Sequence, residues 1–217
     1  MVERVQRLAG AAKKLPVPEG TWAIGAGLIV VGLSAYGFQI LAAKRLSNDD
    51  YNALNTLWAL VFVFSPGLFQ PLEQEVGRAV AARRARGEGG GPLVRRAGLL
   101  GAMLAAAVIV VAAVAHSRII DNLFDGRGIL IIALFIAIVC YYVAFITRGT
   151  LSGNGRFGAY GLMHGSEGSV RLIACIVLFA AGTHAVGPWG FALAAPPLFA
   201  VAISLRGQHN LMLPGPE

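Results

Sequence analysis

Between Ala159 and Gly182 the chain reads AYGLMHGSEGSVRLIACIVLFAAG, an apolar run that nevertheless carries Tyr160, His164, Glu167 and Arg171. Spacings of four, three and four residues put those side chains on one side of a helix. A phenol, an imidazole, a carboxylate and a guanidinium in that order can hold a charged ligand or one another. An ion facing hydrocarbon costs about 3 kcal/mol or more even on the lenient insertion scale, so this face must meet protein or water. At 1.5 Å per residue Arg171 lies roughly 18 Å along a helix that begins near Ala159, close to the middle of a bilayer. Three readings stay open. Glu167 and Arg171, at i and i+4, neutralise each other against neighbouring helices; a later start to the span lets Arg171 snorkel to the surface; or the polar face lines a substrate cavity.

A second stripe, Gly158, Gly161, Gly165 and Gly168, runs beside the first and suits close approach of another helix. Leu162, Ser169, Val170, Ile173, Ile176 and Val177 form the remaining, mostly apolar side, which can meet lipid. Other apolar runs are also interrupted. The first contains Gly25, Gly27, Gly32 and Gly37 with Ser34, Tyr36 and Gln39; the second contains SPGLFQPLEQE; the last contains Pro196 and Pro197. Proline removes a helix hydrogen bond and bends the chain, and bent helices with polar residues at depth suit a transporter cavity as well as ordinary packing.

Bond-making chemistry finds little support. GNGRFG, Gly153 to Gly158, satisfies GxGxxG but lies between two apolar runs with no strand before it, which indicates a tight turn. P-loop, HExxH and GxSxG patterns are absent from the sequence. His116, His164, His184 and His209 lack ligand spacing, so no metal is expected, and no cofactor. Glu73, Glu75 and Arg78 have no histidine on a neighbouring turn to complete a protease motif. Cys140 and Cys175 sit within apolar runs as small core residues. The chain reads as a non-enzyme.

The elements that must carry these residues follow from composition. Of 217 residues, 56% are hydrophobic and 13% charged, and the mean hydropathy is +0.67, the profile of a membrane protein. The net charge of +7 is gathered in short stretches between apolar runs, which argues against a nucleic-acid-binding face. Six runs reach the roughly 20 residues a span requires: Trp22 to Ala43, Ala53 to Glu73, Val94 to Ala115, Gly128 to Thr147, Ala159 to Gly182, and Val186 to Leu205. The first is too long for the h-region of a signal peptide. The expected fold is therefore an all-α polytopic membrane protein: residues 1–21 an amphipathic interfacial segment, 22–205 a six-helix lobe, 206–217 a tail or linker. With the N-terminus inside, thirteen Lys and Arg lie on the cytoplasmic side and four on the other, which places both termini in the cytoplasm. Trp22, Tyr51 and Trp189 fall near span ends, where their rings favour the headgroup layer. EVGRAVAARRARGEGGGPLVRR, Glu75 to Arg96, reads as a helical extension of the second span that the glycine run ends, and marks topology or meets a phosphate headgroup.

AKRLSNDDYNALNTLW after the first span, LEQEVGRAVAARRARGEG after the second, and RGTLSGNGRFGAYGLMHGSEGSVRL between the fourth and fifth resemble, in their order, the N-terminal half of bacterial polysaccharide flippases. These belong to the multidrug/oligosaccharidyl-lipid/polysaccharide exporter superfamily. The resemblance implies one lobe of six helices, facing a second lobe across a partly cationic cavity in the bacterial cytoplasmic membrane. It implies alternating access that moves undecaprenyl-diphosphate-linked saccharides between leaflets. Arg171 would then meet the diphosphate, with Arg148 nearer the cytoplasmic mouth; the resemblance carries over no further residue, and Glu167, His164, Tyr160 and Gln39 are candidate substrate-binding residues from their polar positions within the apolar runs alone. The second lobe would come from continuation of the chain, a second copy or a partner. The alternatives are efflux of drugs or other small amphiphiles, and a non-transporting scaffold of a cell-envelope assembly in which Glu167 and Arg171 merely join helices.

Overall fold

The computed structural model describes residues 20–215. The expected interfacial segment, 1–21, lies almost wholly outside them. Eight helices occur among the described residues: α1 (Thr21–Arg45), α2 (Asn48–Ala85), α3 (Gly91–Val114), α4 (His116–Leu123), α5 (Ile129–Gly153), α6 (Phe157–Ala180), α7 (Val186–Ala194) and α8 (Pro196–Ser204). Five of them, together with α7 and α8 as one broken unit, make six segments long and apolar enough to cross a membrane. The chain is an all-α polytopic membrane protein.

Local sequence accounts for most boundaries. Ser47 caps α2, its hydroxyl accepting from the Asp50 amide at 3.2 Å, with Asp49 and Asp50 in the first turn and Arg83 and Arg84 in the last, the charge order a helix dipole favours. Pro66 and Pro71 lie inside α2 without ending it. The helix runs on past the expected span, and the chain leaves it at Gly87, whose φ of +72° suits a residue without a Cβ. The sixth span is divided where Pro196 and Pro197 follow Ala195, since neither proline can donate a helix hydrogen bond. The α5–α6 turn, Asn154 to Arg156, contains Gly155 at φ +70°, so GNGRFG is a turn. Helix α4 was not foreseen; its eight residues place Ile119 and Leu123 on one side and Arg118 and Asp121 elsewhere, an amphipathic pattern too short to register as a span.

Glycine decides which helices pair. Helix α6 lies along α1: a Cβ on Gly161 would collide with the Ala23 backbone, and one on Gly168 would come within 2.9 Å of the Val30 carbonyl. Gly27 answers from α1, facing Gly161 and Gly165. Gly158, expected in the same stripe, faces open space instead. Helix α5 meets α2 in the same way, Gly149 against the Glu73 carbonyl and Gly153 against Val80. Helices α7 and α8 pack on α5 and α6. Phe38, Leu54, Leu57, Phe69, Leu130 and Leu193 fill the core with Trp189, which is fully buried and donates from Nε1 to the Thr183 carbonyl. Trp189 is therefore a core residue and not the headgroup-layer ring its position suggested, whereas Trp22 is 81% exposed.

Candidate functional site

Helices α5 and α6 form an antiparallel hairpin, so residues a few turns before Gly153 stand opposite residues a few turns after Phe157. Arg148, Glu167 and Arg171 meet there. The Glu167 carboxylate accepts from Arg148 Nη2 at 2.5 Å through one oxygen and from Arg171 Nη2 at 2.8 Å through the other. The Tyr141 hydroxyl, two turns before Arg148 on α5, donates to Glu167 at 3.2 Å. Arg171 also donates to the Ser34 hydroxyl of α1 at 3.3 Å, and its guanidinium faces the rings of Trp58 and Phe62 on α2 at 5.8 and 5.5 Å. The Arg148 guanidinium lies 5.0 Å from the Phe145 ring. Four helices thus converge on one ionic cluster.

Burial changes the reading of the polar face. Arg171 is 0% exposed and Glu167 3%, so in this conformation neither touches a hollow, and of the three readings of this face the mutual neutralisation of Glu167 and Arg171 against neighbouring helices describes it. The cause is packing: α1 is drawn onto α6 by the glycine contacts, and Trp58 and Phe62 cover the guanidinium. Arg148 was expected nearer a mouth; its long side chain instead reaches Glu167 and leaves the residue only 6% exposed.

The hydrogen-bonded cluster holds two cations and one anion, and Glu73, on which Arg148 also acts, stands beside it as a second carboxylate. The Nε atoms of Arg148 and Arg171 are buried and lack a hydrogen-bond partner. Such a group costs about 1–3 kcal/mol when no acceptor reaches it.

The lower part of the α6 face does meet a hollow. Tyr160 donates to Glu73 Oε1 of α2 at 2.8 Å, and its ring packs edge-on to His164 at 5.0 Å. Both residues are half-buried. A cavity of about 560 Å³ opens beside Tyr160 and Glu73, with Ile24, Gln74, Ser152 and Phe157 also in its wall. It lies at the end of the bundle where the arginine-rich α2–α3 connection and the α5–α6 turn sit. Arg148 acts electrostatically on both Glu73 and His164, so the cavity wall and the buried cluster are electrostatic neighbours.

Gln39 stands apart. It accepts from Tyr51 at 3.0 Å and donates to Asn55 at 3.3 Å, joining α1 to the start of α2. At that same end Arg127 pairs with Asp50 at 2.5 Å, and this hydrogen bond raises the pKa of the guanidinium. No cluster of metal-ligating side chains occurs among the described residues.

Glu73, Tyr141, Ser34 and the two aromatic rings over Arg171 were not singled out as site residues. Tyr141 and Arg148 share a face at i and i+7, a signal visible in the run, but one hidden by the uniformly apolar α5 around them. Glu73 sits in QPLEQE, where span ends and helix extensions look alike.

Known proteins add no identification. The chain matches no family model, no curated protein sequence and no solved structure. Function must be argued from the cluster and the cavity themselves.

Proposed function

We propose that this chain is one lobe of a membrane transporter, a flippase that moves lipid-linked saccharides, of the undecaprenyl-diphosphate type, across the bacterial cytoplasmic membrane. The observation that carries the reading is the pair of buried arginines, Arg148 and Arg171, that share the Glu167 carboxylate within the span bundle, beside a cavity that opens on the arginine-rich end. A second arginine with an unsatisfied Nε suits a site that exchanges its internal partner for an anionic ligand.

In this mechanism the closed lobe stores its cationic groups on Glu167. Substrate enters the cavity beside Glu73 and Tyr160, the hydrogen bond between them gives way, and the diphosphate replaces Glu167 as the partner of Arg148 and then Arg171. The lipid tail remains in the bilayer while the lobe rocks against a second lobe supplied by chain continuation, a second copy or a partner. No bond is made or broken, and the protein needs no cofactor or metal. Glu167 sets affinity by competing with the ligand, and Tyr160 with His164 borders the path.

A second reading has its own observation. Arg171 is wholly sealed and tied to three other helices, which suits a scaffold in a cell-envelope assembly. The two readings separate on one experiment. Protein reconstituted in vesicles is assayed for transfer of a fluorescent lipid-diphosphate-linked sugar with wild type, Arg148→Gln and a triple Arg148→Met, Glu167→Leu, Arg171→Met variant. The flippase predicts a folded but inactive triple variant and at least about tenfold slower transfer for Arg148→Gln; unchanged transfer in both leaves the scaffold.

A further inference from the structure

The stretch after α8 was expected as a tail or linker, and no step of the proposed mechanism uses it. It lies instead across the arginine-rich end of the bundle. The chain leaves α8 at Ser204 and turns at Gly207, whose φ is +73°. Leu211 packs on a small cluster that includes Leu151 of α5, Met163 of α6 and Val201 of α8. Its carbonyl accepts from Asn154 Nδ2 in the α5–α6 turn at 3.2 Å, and the Leu213 carbonyl accepts from the Gly91 amide at 2.9 Å.

The second bond accounts for the glycine run GEGGG, 87–91. Gly90, at the N-cap of α3, has no side chain to satisfy the leading amides of the helix, and the Leu213 carbonyl takes that role. Backbone can approach backbone so closely only where side chains are missing. A Cβ on Gly89 would collide with the Pro214 carbonyl, one on Gly91 would stand 2.8 Å from the Leu213 oxygen, and one on Gly215 would collide with the Gly89 carbonyl. Gly89 and Gly91 lack a positive φ, so contact and not backbone freedom explains them.

Placement gives this segment a role at the cavity. The bundle contains two close pairs, α1 with α6 and α2 with α5, while α1 touches α2 little. The cavity lies in the seam between the pairs, with Ile24, Phe157 and Tyr160 on one side and Glu73, Gln74 and Ser152 on the other. The segment starts on α8, which packs chiefly on α6, and ends on the α2–α3 connection, so it crosses from one pair to the other at the cavity end. Most of it is exposed, so it can lift without disturbing the core. We propose that residues 207–215 are a strap that latches the seam shut. While the strap is seated the pairs stay together beside Tyr160 and Glu73; when it lifts, α3 loses its cap and the seam widens. That the widened seam admits substrate rests on the transporter reading, whereas the latch itself does not.

Spin-label distances in the purified full chain test this, in a background with Cys140→Ala and Cys175→Ala. Labels on Trp22→Cys of α1 and Ala81→Cys of α2, both exposed, span the seam at the cavity end; labels on Lys44→Cys of α1 and Asn122→Cys of α4, also exposed, span the opposite end. Gly89→Ala sets a methyl against the Pro214 carbonyl, and it is expected to raise the long-distance population at the cavity end at least about threefold while the opposite end keeps its distribution. Asn154→Ala, which removes the other anchor and adds no atom, shifts the cavity end in the same direction, and it decides alone should Gly89→Ala fail to fold. Gly67→Ala, which meets open space on α2, changes neither end. An unchanged cavity-end distribution in a folded strap variant overturns the proposal, as does equal broadening at both ends, the mark of general loosening. The vesicle transfer assay separates the two readings: a seam that widens in the strap variants while no protein, wild type included, transfers the sugar sinks the transporter and leaves the latch standing.

Discussion

Replacing Glu167 by Gln removes the one anion shared by Arg148 and Arg171 while keeping the side-chain volume. The side chains concerned are 4%, 8% and 0% exposed, so water cannot take the place of the lost charge. Breaking a buried ion pair by removing one partner costs about 3–5 kcal/mol, and here two cations lose the same counter-charge. Tyr141 and Ser34 offer hydroxyl oxygens that recover a part of this, so the lower figure, about 3 kcal/mol, is expected. For a chain of this length that corresponds to a fall of roughly 6–12 °C in unfolding temperature. The triple Met, Leu, Met replacement removes all three charges and is expected to unfold within about 1–2 kcal/mol of wild type, since apolar groups of similar volume replace a buried ion cluster at little cost. The assay is thermal unfolding in one detergent, followed by intrinsic fluorescence and by exposure of Cys140 and Cys175, both buried. A Glu167→Gln protein within 0.5 kcal/mol (roughly 1–2 °C) of wild type refutes the view that the carboxylate neutralises the two arginines.

Three further outcomes follow from the same geometry. Gly168→Val forces α1 away from α6 and is expected to destabilise by about 2 kcal/mol or more, whereas Gly158→Ala, which meets open space in a helix, is neutral or stabilises by up to about 1 kcal/mol; paired unfolding curves decide. Tyr160→Phe removes the hydrogen bond to Glu73 and is expected to cost about 1 kcal/mol while increasing hydrogen exchange at the cavity end of α6, read by mass spectrometry. Asp50→Asn removes the partner of Arg127, and because both side chains are about a quarter exposed the loss is expected to be under about 1 kcal/mol and to shrink with added salt.

The spans were legible because hydrocarbon imposes one rule on every residue that faces it, and the five unbroken ones were located to within a turn at most ends. The extension of α2 beyond its span was legible too, as the helical reading of the stretch after Glu75 up to the glycine run, and the helix continues to Ala85. The face from Tyr160 to Arg171 was legible from spacing, and so was the packing use of Gly161, Gly165 and Gly168. What spacing does not carry is the partner. Nothing local to α6 says that α1 brings Gly27 and Ser34, or that Trp58 and Phe62 cover Arg171. That is tertiary information, and it decides whether an ionic face is wet or sealed. Helix α4 was missed for a simpler reason: eight residues hold too few turns for periodicity to stand out.

The central claim is that the sealed arginine cluster opens toward the cavity when substrate arrives. Ser34 is 0% exposed and bonded to Arg171, so a cysteine there becomes reachable only if the cluster parts. Ser34→Cys, in a background with Cys140→Ala and Cys175→Ala, is treated with a membrane-impermeant maleimide in vesicles, with and without a lipid-diphosphate-linked sugar. The account predicts slow labelling alone and at least about tenfold faster labelling with the substrate; labelling that stays slow while transfer of the sugar proceeds would contradict it.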